Sequence, residues 1–212
     1  YQNWSKIMTK ISGDKYGFDF NFNKISSYDW DTLITEKKVA KTLNISAGNI
    51  TTIKNPVSAW VLENPQSLID DVICASILEN RIIYADNEYS QKLMNVSIVL
   101  CKDEEKTDEV FQERKNNVKQ IKDQDAEAEV KYLTEIPKLG DAAYTYLVER
   151  NIEEGDQKIN DKYSGLFVKQ GPLLLRIEEV STEESKQLFS SDERMAIAKY
   201  IQRELKRTLS WY

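Results

Sequence analysis

A glycine-proline turn between two apolar runs is the feature that most constrains the fold of this chain. The runs Gly165 to Lys169 and Leu173 to Ile177 flank Gln170-Gly171-Pro172. Glycine supplies the positive φ angle that tight hairpin turns require. The run Leu173-Leu174-Leu175 favours a central strand that is buried on both faces. The sequence therefore predicts a β-hairpin in the interior of a sheet.

Other segments have the composition or the alternation of strands. Tyr16 to Phe22 alternates aromatic and polar residues, which indicates a strand with one apolar face. Residues 149–162 are polar and contain Gly155, so they predict a loop or a wide hairpin tip. Arg81 to Ala85 is compatible with a strand or a helix. We expect further strands or extended segments at Ile50–Ile53, Ser58–Leu62, Asp71–Leu78, Arg81–Ala85, Leu93–Cys101, Glu129–Leu133 and Ala142–Val148.

Three longer segments have helical periodicity. Thr35 is a good N-cap for a helix from Glu36 to Leu43. The charged segment Asp103 to Lys122 predicts a surface helix with a narrow apolar stripe, and its acids cluster at the start, where the helix dipole favours them. Ser191 is expected to cap a last helix from Asp192 to Leu209. Shorter helical segments are expected at residues 1–12, as an N-terminal arm or helix, and at residues 182–187.

This order of elements defines a fold class. Strands precede packed helices, and no regular βαβ alternation is present, so the sequence predicts an α+β fold with a largely antiparallel sheet flanked by helices. The chain has 212 residues and shows neither an internal repeat nor a linker. We therefore expect one domain over residues 1–212.

The chain contains no histidine, which restricts its chemistry. A Ser-His-Asp or Cys-His nucleophile pair and the commonest zinc ligand are excluded. Asp141, in the turn Leu139-Gly140-Asp141, has no catalytic partner in the sequence, so we expect it to hydrogen-bond the amides that follow it. We predict no catalytic residues, no metal site and no cofactor. A hydrolase that uses carboxylates or a Ser-Lys pair stays open as an alternative.

The net charge of −6 argues against nucleic acid as a partner. Phosphate contacts supply most of the affinity for nucleic acid, and they need a basic surface. The expected partner is therefore a protein or a small-molecule ligand. Aromatic side chains left outside the core are the candidate contact surface, because tryptophan and tyrosine are enriched at recognition surfaces. The candidates are Trp30, Trp60, Tyr84 and Tyr89.

The two cysteines, Cys74 and Cys101, each lie in an apolar run. Their separation excludes a CxxC motif. The favoured interpretation is two buried free thiols that act as small hydrophobic residues. A disulfide between neighbouring strands is the alternative, and it would require an oxidising compartment.

Two segments carry a resemblance to a protein family. They are Ile136 to Tyr144, with its Leu-Gly-Asp turn, and Leu166 to Ile177, which a helix follows. Thr35 to Leu43 adds an early helix. Together they resemble Gram-positive bacterial surface lipoproteins and extracytoplasmic sensor domains of PsbP-like type. The resemblance implies an antiparallel sheet with flanking helices and a location outside the cytoplasm.

The sequence thus favours an extracytoplasmic, non-catalytic binding or adaptor protein of unknown ligand. Because the chain begins at Tyr1 rather than Met, we expect that a leader was trimmed. The membrane contact would then be a lipid anchor on an N-terminal cysteine that this chain lacks. An intracellular interaction protein is a further alternative, which reduced thiols would favour.

Overall fold

A computed structural model describes residues 28–55, 74–87, 90–154, 157–181 and 187–209. These residues form a seven-stranded antiparallel sheet with four α-helices, which confirms the predicted α+β class. The elements predicted at residues 1–12, 16–22 and 58–62, and residues 182–186 of the predicted helical turn, lie outside the described residues.

The sheet has the strand order β1-β2-β3-β7-β6-β5-β4, and every neighbouring pair is antiparallel. The strands are β1 Ile50–Lys54, β2 Cys74–Asn87, β3 Ser90–Cys101, β4 Ala128–Glu135, β5 Ala142–Glu154, β6 Gln157–Gln170 and β7 Leu173–Val180. The helices are α1 Glu36–Leu43, α2 Glu104–Lys119, the short α3 Ile121–Gln124 and α4 Ser191–Leu209. Two 3₁₀ turns occupy Trp30–Thr32 and Ala47–Asn49.

Helices cover the sheet on both faces. Leu173 and Leu175 of β7 join a core cluster with apolar residues of α1 and α4. Leu174 points to the opposite face, where it joins Phe111 of α2 in a second cluster. All three leucines are buried, which confirms a strand buried on both faces.

Two glycine turns meet at one end of β6. Gly171 (φ 54°) makes the predicted hairpin turn between β6 and β7. Gly140 (φ 64°) lies so close to β6 that an added Cβ would stand 2.3 Å from the carbonyl oxygen of Lys169. Asp141 accepts a hydrogen bond from the Gly171 amide at 2.6 Å, so its carboxylate joins the two turns. The expected bond to the amides that follow Asp141 gives way to this contact with the neighbouring hairpin.

Residues 149–162, predicted as a loop or a wide hairpin tip, belong to a hairpin, but most of them lie in its two strands. Strands β5 and β6 continue through these residues as two paired arms, with Asn151 opposite Asn160 and Ile152 opposite Ile159. Main-chain hydrogen bonds hold such a pair together without apolar side chains. The predicted strands at 71–78 and 81–85 also merge, since residues 74–87 form one strand with a register shift between Ser76 and Leu78.

The helix caps show where side-chain chemistry sets the boundaries. Thr35 caps α1 as predicted, and its hydroxyl oxygen accepts from the Lys38 amide at 3.4 Å. The cap of the last helix is Ser190 and not the predicted Ser191. Ser190 Oγ accepts from the Glu193 amide at 3.1 Å, and a Glu193 carboxylate oxygen accepts from the Ser190 amide at 2.6 Å. This reciprocal pair is a capping box.

The expected pair of free thiols is also wrong, because Cys74 and Cys101 form a disulfide. The two residues lie directly opposite each other on β2 and β3, with 4.0 Å between their Cα atoms. Neither cysteine is free. The disulfide, which the sequence had left open as the alternative, forms because the register of β2 against β3 places the two cysteines opposite each other.

Candidate functional site

A cavity of about 460 Å³ lies at the start of α4 and spans the sheet from β3 to β4. We call it the α4 cavity. Four strands and the α4 start contribute its walls. The lining residues are Lys92, Tyr132, Leu147 and Lys162 from the sheet, residues 187–191, and Arg194. Its volume lies within the range of small-molecule sites.

Arg194 is the buried cation of this cavity, with only 3% of its surface exposed. Its Nη1 donates to Ser164 Oγ at 3.0 Å, to a Glu179 carboxylate oxygen at 3.1 Å and to the Phe189 carbonyl at 2.7 Å. Its Nη2 donates to Tyr132 Oη at 3.1 Å. Its Nε has no acceptor among the described residues. Four acceptors therefore hold the guanidinium in place.

Glu179 is the counter-ion of Arg194 and is itself 1% exposed. Its second carboxylate oxygen accepts from the Phe189 amide at 2.7 Å. Burial raises the pKa of Glu179 to about 7, and the neighbouring Arg194 opposes that rise. Glu179 does not line the cavity. The pair thus anchors the chain around Phe189 to β7, while Arg194 alone faces the cavity.

Two lysines stand at the rim. Lys92 Nζ forms a salt bridge with Glu193 at 3.2 Å and lies 5.7 Å from the centre of the Tyr84 ring and 5.4 Å from that of Phe189. Lys162 Nζ pairs with Glu149 at 3.2 Å. No carboxylate is among the lining residues. Each of the three lining cations is thus paired with a carboxylate that lies outside the lining.

The start of α4 adds the backbone amide of Ser191 to the lining. The first amides of a helix have no acceptor within it, and the capping box uses only those of Ser190 and Glu193. The amides of Ser191 and Asp192 remain at the positive end of the helix dipole. Leu147, Leu188 and Phe189 supply apolar surface. This arrangement can hold a ligand that has an anionic group and an apolar part.

The structure separates the four predicted contact residues. Tyr84 lies beside the α4 cavity, with its ring 6.5 Å from that of Phe189. Trp30 is 5% exposed and packs against Tyr28, so its ring belongs to the core. Trp60 and Tyr89 lie outside the described residues. Only Tyr84 is thus placed near the candidate site.

The sequence analysis did not predict Arg194 and Glu179 as site residues, although the local pattern around each indicated a buried charge. Arg194 precedes Ile197 by three residues and so belongs to the apolar stripe of α4. Glu179 follows Ile177 by two residues and so shares its face of β7. A charge on a buried stripe usually has a buried partner. On that ground, a contact between Arg194 and Glu179 could have been predicted from the sequence.

The described residues contain no group of three or more His, Cys, Asp or Glu side chains that could hold a metal ion. None of their helices combines the length and the apolar character needed to cross a membrane.

Fold and site together define an α+β domain with an antiparallel sheet and a cavity of ligand size that is lined by three cations. No protein-family model and no curated protein sequence matches the chain. Among solved structures, the chain is similar to the extracellular domain of PknH from Mycobacterium tuberculosis. The two share 10% sequence identity at a TM-score of 0.48, and the match covers 84% of this chain and 94% of that domain.

Proposed function

We propose that this protein is an extracytoplasmic, non-catalytic binding protein whose ligand occupies the α4 cavity. The ligand would carry an anionic group and a short apolar part. The observation that carries the proposal is Arg194, a buried cation that lines a cavity in which no lining residue is a carboxylate. A guanidinium fixed before binding loses little side-chain entropy when it contacts an anion.

The proposed location rests on the disulfide between Cys74 and Cys101. Disulfides persist in oxidising compartments and are rare in the reducing cytosol. The lipid anchor is part of the proposal and follows from the resemblance to surface lipoproteins. An intracellular interaction protein would instead need both thiols reduced.

The hydrolase alternative has less support from the site. No carboxylate lines the α4 cavity. Among the described lysines other than Lys206, the hydrogen bonds and salt bridges of the Nζ atoms go to carboxylates and to one backbone carbonyl. We therefore propose ligand binding in preference to hydrolysis.

Calorimetric titration with simple probes tests the binding proposal. Octanoate and benzoate carry the expected anionic group without a phosphate, and octanol and benzyl alcohol are their uncharged counterparts. We expect the anions to bind about tenfold more tightly than the alcohols, because the cavity offers charge-assisted hydrogen bonds. The double variant Lys92→Gln/Lys162→Gln should weaken anion binding by about tenfold.

A matched double variant controls for net charge. Lys119 and Lys122 are exposed and lie away from the cavity, so Lys119→Gln/Lys122→Gln removes the same number of positive charges. Its affinity for the probes should stay within twofold of the parent. Equal binding of acids and alcohols, an equal loss in both double variants, or no binding of either anion at millimolar concentration would each contradict the proposal.

Cell fractionation tests the location. The full-length product of the gene should partition into the detergent phase of a Triton X-114 extraction, and the cysteines of the folded domain should resist alkylation until a reductant is added. Recovery in the cytosol with two reactive thiols would refute the exported location. Recovery outside the cytoplasm in the aqueous phase would refute the lipid anchor alone.

A further inference from the structure

A second groove lies on the outer side of the helical layer, between α1 and α4, which pack against each other. We call it the α1–α4 groove. Its volume is about 490 Å³. Four of its lining residues are cations, two from each helix: Lys38, Lys41, Lys199 and Arg203. The groove therefore has positive charge on both walls.

The charge of this groove is not neutralised locally. Glu204 is its one lining carboxylate, and it already pairs with Arg207 Nη2 at 2.8 Å. Within the described ranges, no carboxylate oxygen comes within 4.0 Å of the charged groups of Lys41, Lys199 or Arg203, and all three side chains are exposed. The whole chain has a net charge of −6, so the charge of the four cations in the groove is opposite in sign to that of the chain.

The floor of the groove is rigid. Tyr200 is buried, and its hydroxyl donates to the Leu33 carbonyl at 2.8 Å. The Arg203 guanidinium lies 5.9 Å from the centre of the Tyr200 ring. On the opposite wall, Lys38 Nζ donates to the Thr32 carbonyl. These contacts hold the Tyr200 ring and the Lys38 ammonium in place before any ligand arrives.

We infer that the α1–α4 groove is a second ligand site, specific for a soluble molecule that carries one or more phosphate groups. Lysine binds phosphate as a point charge, and arginine can donate two parallel hydrogen bonds to it. A volume near 490 Å³ matches a small ligand. The site is independent of the α4 cavity, because no residue lines both.

A membrane surface fits the groove less well. Surfaces that bind lipid usually combine basic residues with apolar side chains that enter the interface. Among the described residues, Ile53 is the one large apolar side chain that is well exposed, and it belongs to β1 and not to the groove. We therefore assign the groove to a soluble phosphorylated ligand.

Titration with inorganic tripolyphosphate at low ionic strength tests this inference. The parent protein should bind it, and affinity should fall as salt is added, because screening weakens contacts to exposed charges. Lys41→Gln/Lys199→Gln should lower the affinity by about tenfold. Both Lys119→Gln/Lys122→Gln and the α4-cavity variant Lys92→Gln/Lys162→Gln should stay within twofold of the parent, which separates this site from the first.

A loss of tripolyphosphate affinity in the groove variant alone supports the site, even if the α4 cavity binds none of its own probes. Equal losses in all three double variants would show nonspecific attraction and overturn the inference, as would absence of binding by the parent protein. Vesicles of phosphatidylglycerol form a separate arm. Groove-dependent binding to vesicles without binding to tripolyphosphate would also overturn the assignment to a soluble ligand.

Discussion

Replacing Arg194 by methionine tests the electrostatics of the buried pair most directly. Methionine keeps much of the side-chain volume and removes the guanidinium, so Glu179 loses its counter-ion inside the protein. Removing one partner of a buried ion pair costs about 3–5 kcal/mol of unfolding free energy when the remaining charge stays ionised. When the remaining group is protonated, the cost falls toward that of the lost hydrogen bonds, about 1–3 kcal/mol.

The state of Glu179 is set by pH. Its pKa is about 7 in the folded protein against an ordinary value of 4.5, so the folded state binds more protons than the unfolded chain between these values. In the parent protein this carboxyl therefore contributes a stability that is greatest below pH 4.5 and falls by about 3 kcal/mol as pH rises to 7. Without Arg194 the pKa of Glu179 rises further, and the loss extends above pH 7.

Urea unfolding followed by circular dichroism measures the effect at pH 6 and pH 9. We expect Arg194→Met to cost about 2 kcal/mol at pH 6 and about 4 kcal/mol at pH 9. The unfolding free energy of the double variant Glu179→Gln/Arg194→Met should differ little between the two pH values. Arg203→Met, an exposed arginine of the same helix, should cost under about 0.5 kcal/mol. A cost for Arg194→Met that is equal at both pH values would refute the reasoning.

Three further predictions concern stability. Cys74→Ala/Cys101→Ala should lower the unfolding free energy by about 3 kcal/mol, because the disulfide closes a loop of 27 residues, and added reductant should then change the urea midpoint of the parent but not of the variant. Gly140→Ala should cost more than about 2 kcal/mol, because its positive φ and close strand contact exclude a Cβ. Gly48→Ala should change the thermal midpoint little, because the added Cβ would meet Ser46 Oγ at an ordinary contact distance of 3.7 Å. Tyr144→Phe should be neutral or stabilising by up to about 1 kcal/mol in the same assays, because the buried hydroxyl has no partner among the described residues. A large loss of unfolding free energy would show that the hydroxyl does form a hydrogen bond.

Much of the fold was predictable because short-range chemistry specifies it. Gly171 and the leucine run after it identify a central hairpin, and Thr35 marks the start of α1. The paired arms beyond Glu149 were missed because main-chain pairing in a polar arm leaves no hydrophobic pattern. The cap of α4 was missed by one residue, because two serines are adjacent and only the reciprocal contact with Glu193 distinguishes them.

The candidate site was less predictable because distant segments build it. Tyr84 was singled out from its residue type and does lie beside the α4 cavity. The contact between Arg194 and Glu179 joins a helix to a strand, and the disulfide depends on the register of β2 against β3. Neither distance follows from local sequence. A charged residue on an otherwise apolar stripe was nevertheless a usable signal for Arg194.

The pairing of β3 with β7 also has a consequence for folding kinetics. Strands β1 to β3 and β4 to β7 are two runs of sequential neighbours, and the contact between Ile98 and Leu175 joins them across the chain segment that contains α2. Contacts between residues far apart in sequence form slowly, because the entropy of loop closure is lost before they can stabilise the chain. We expect each run to collapse early and this seam to close last, so that mutations along it speed unfolding more than they slow folding.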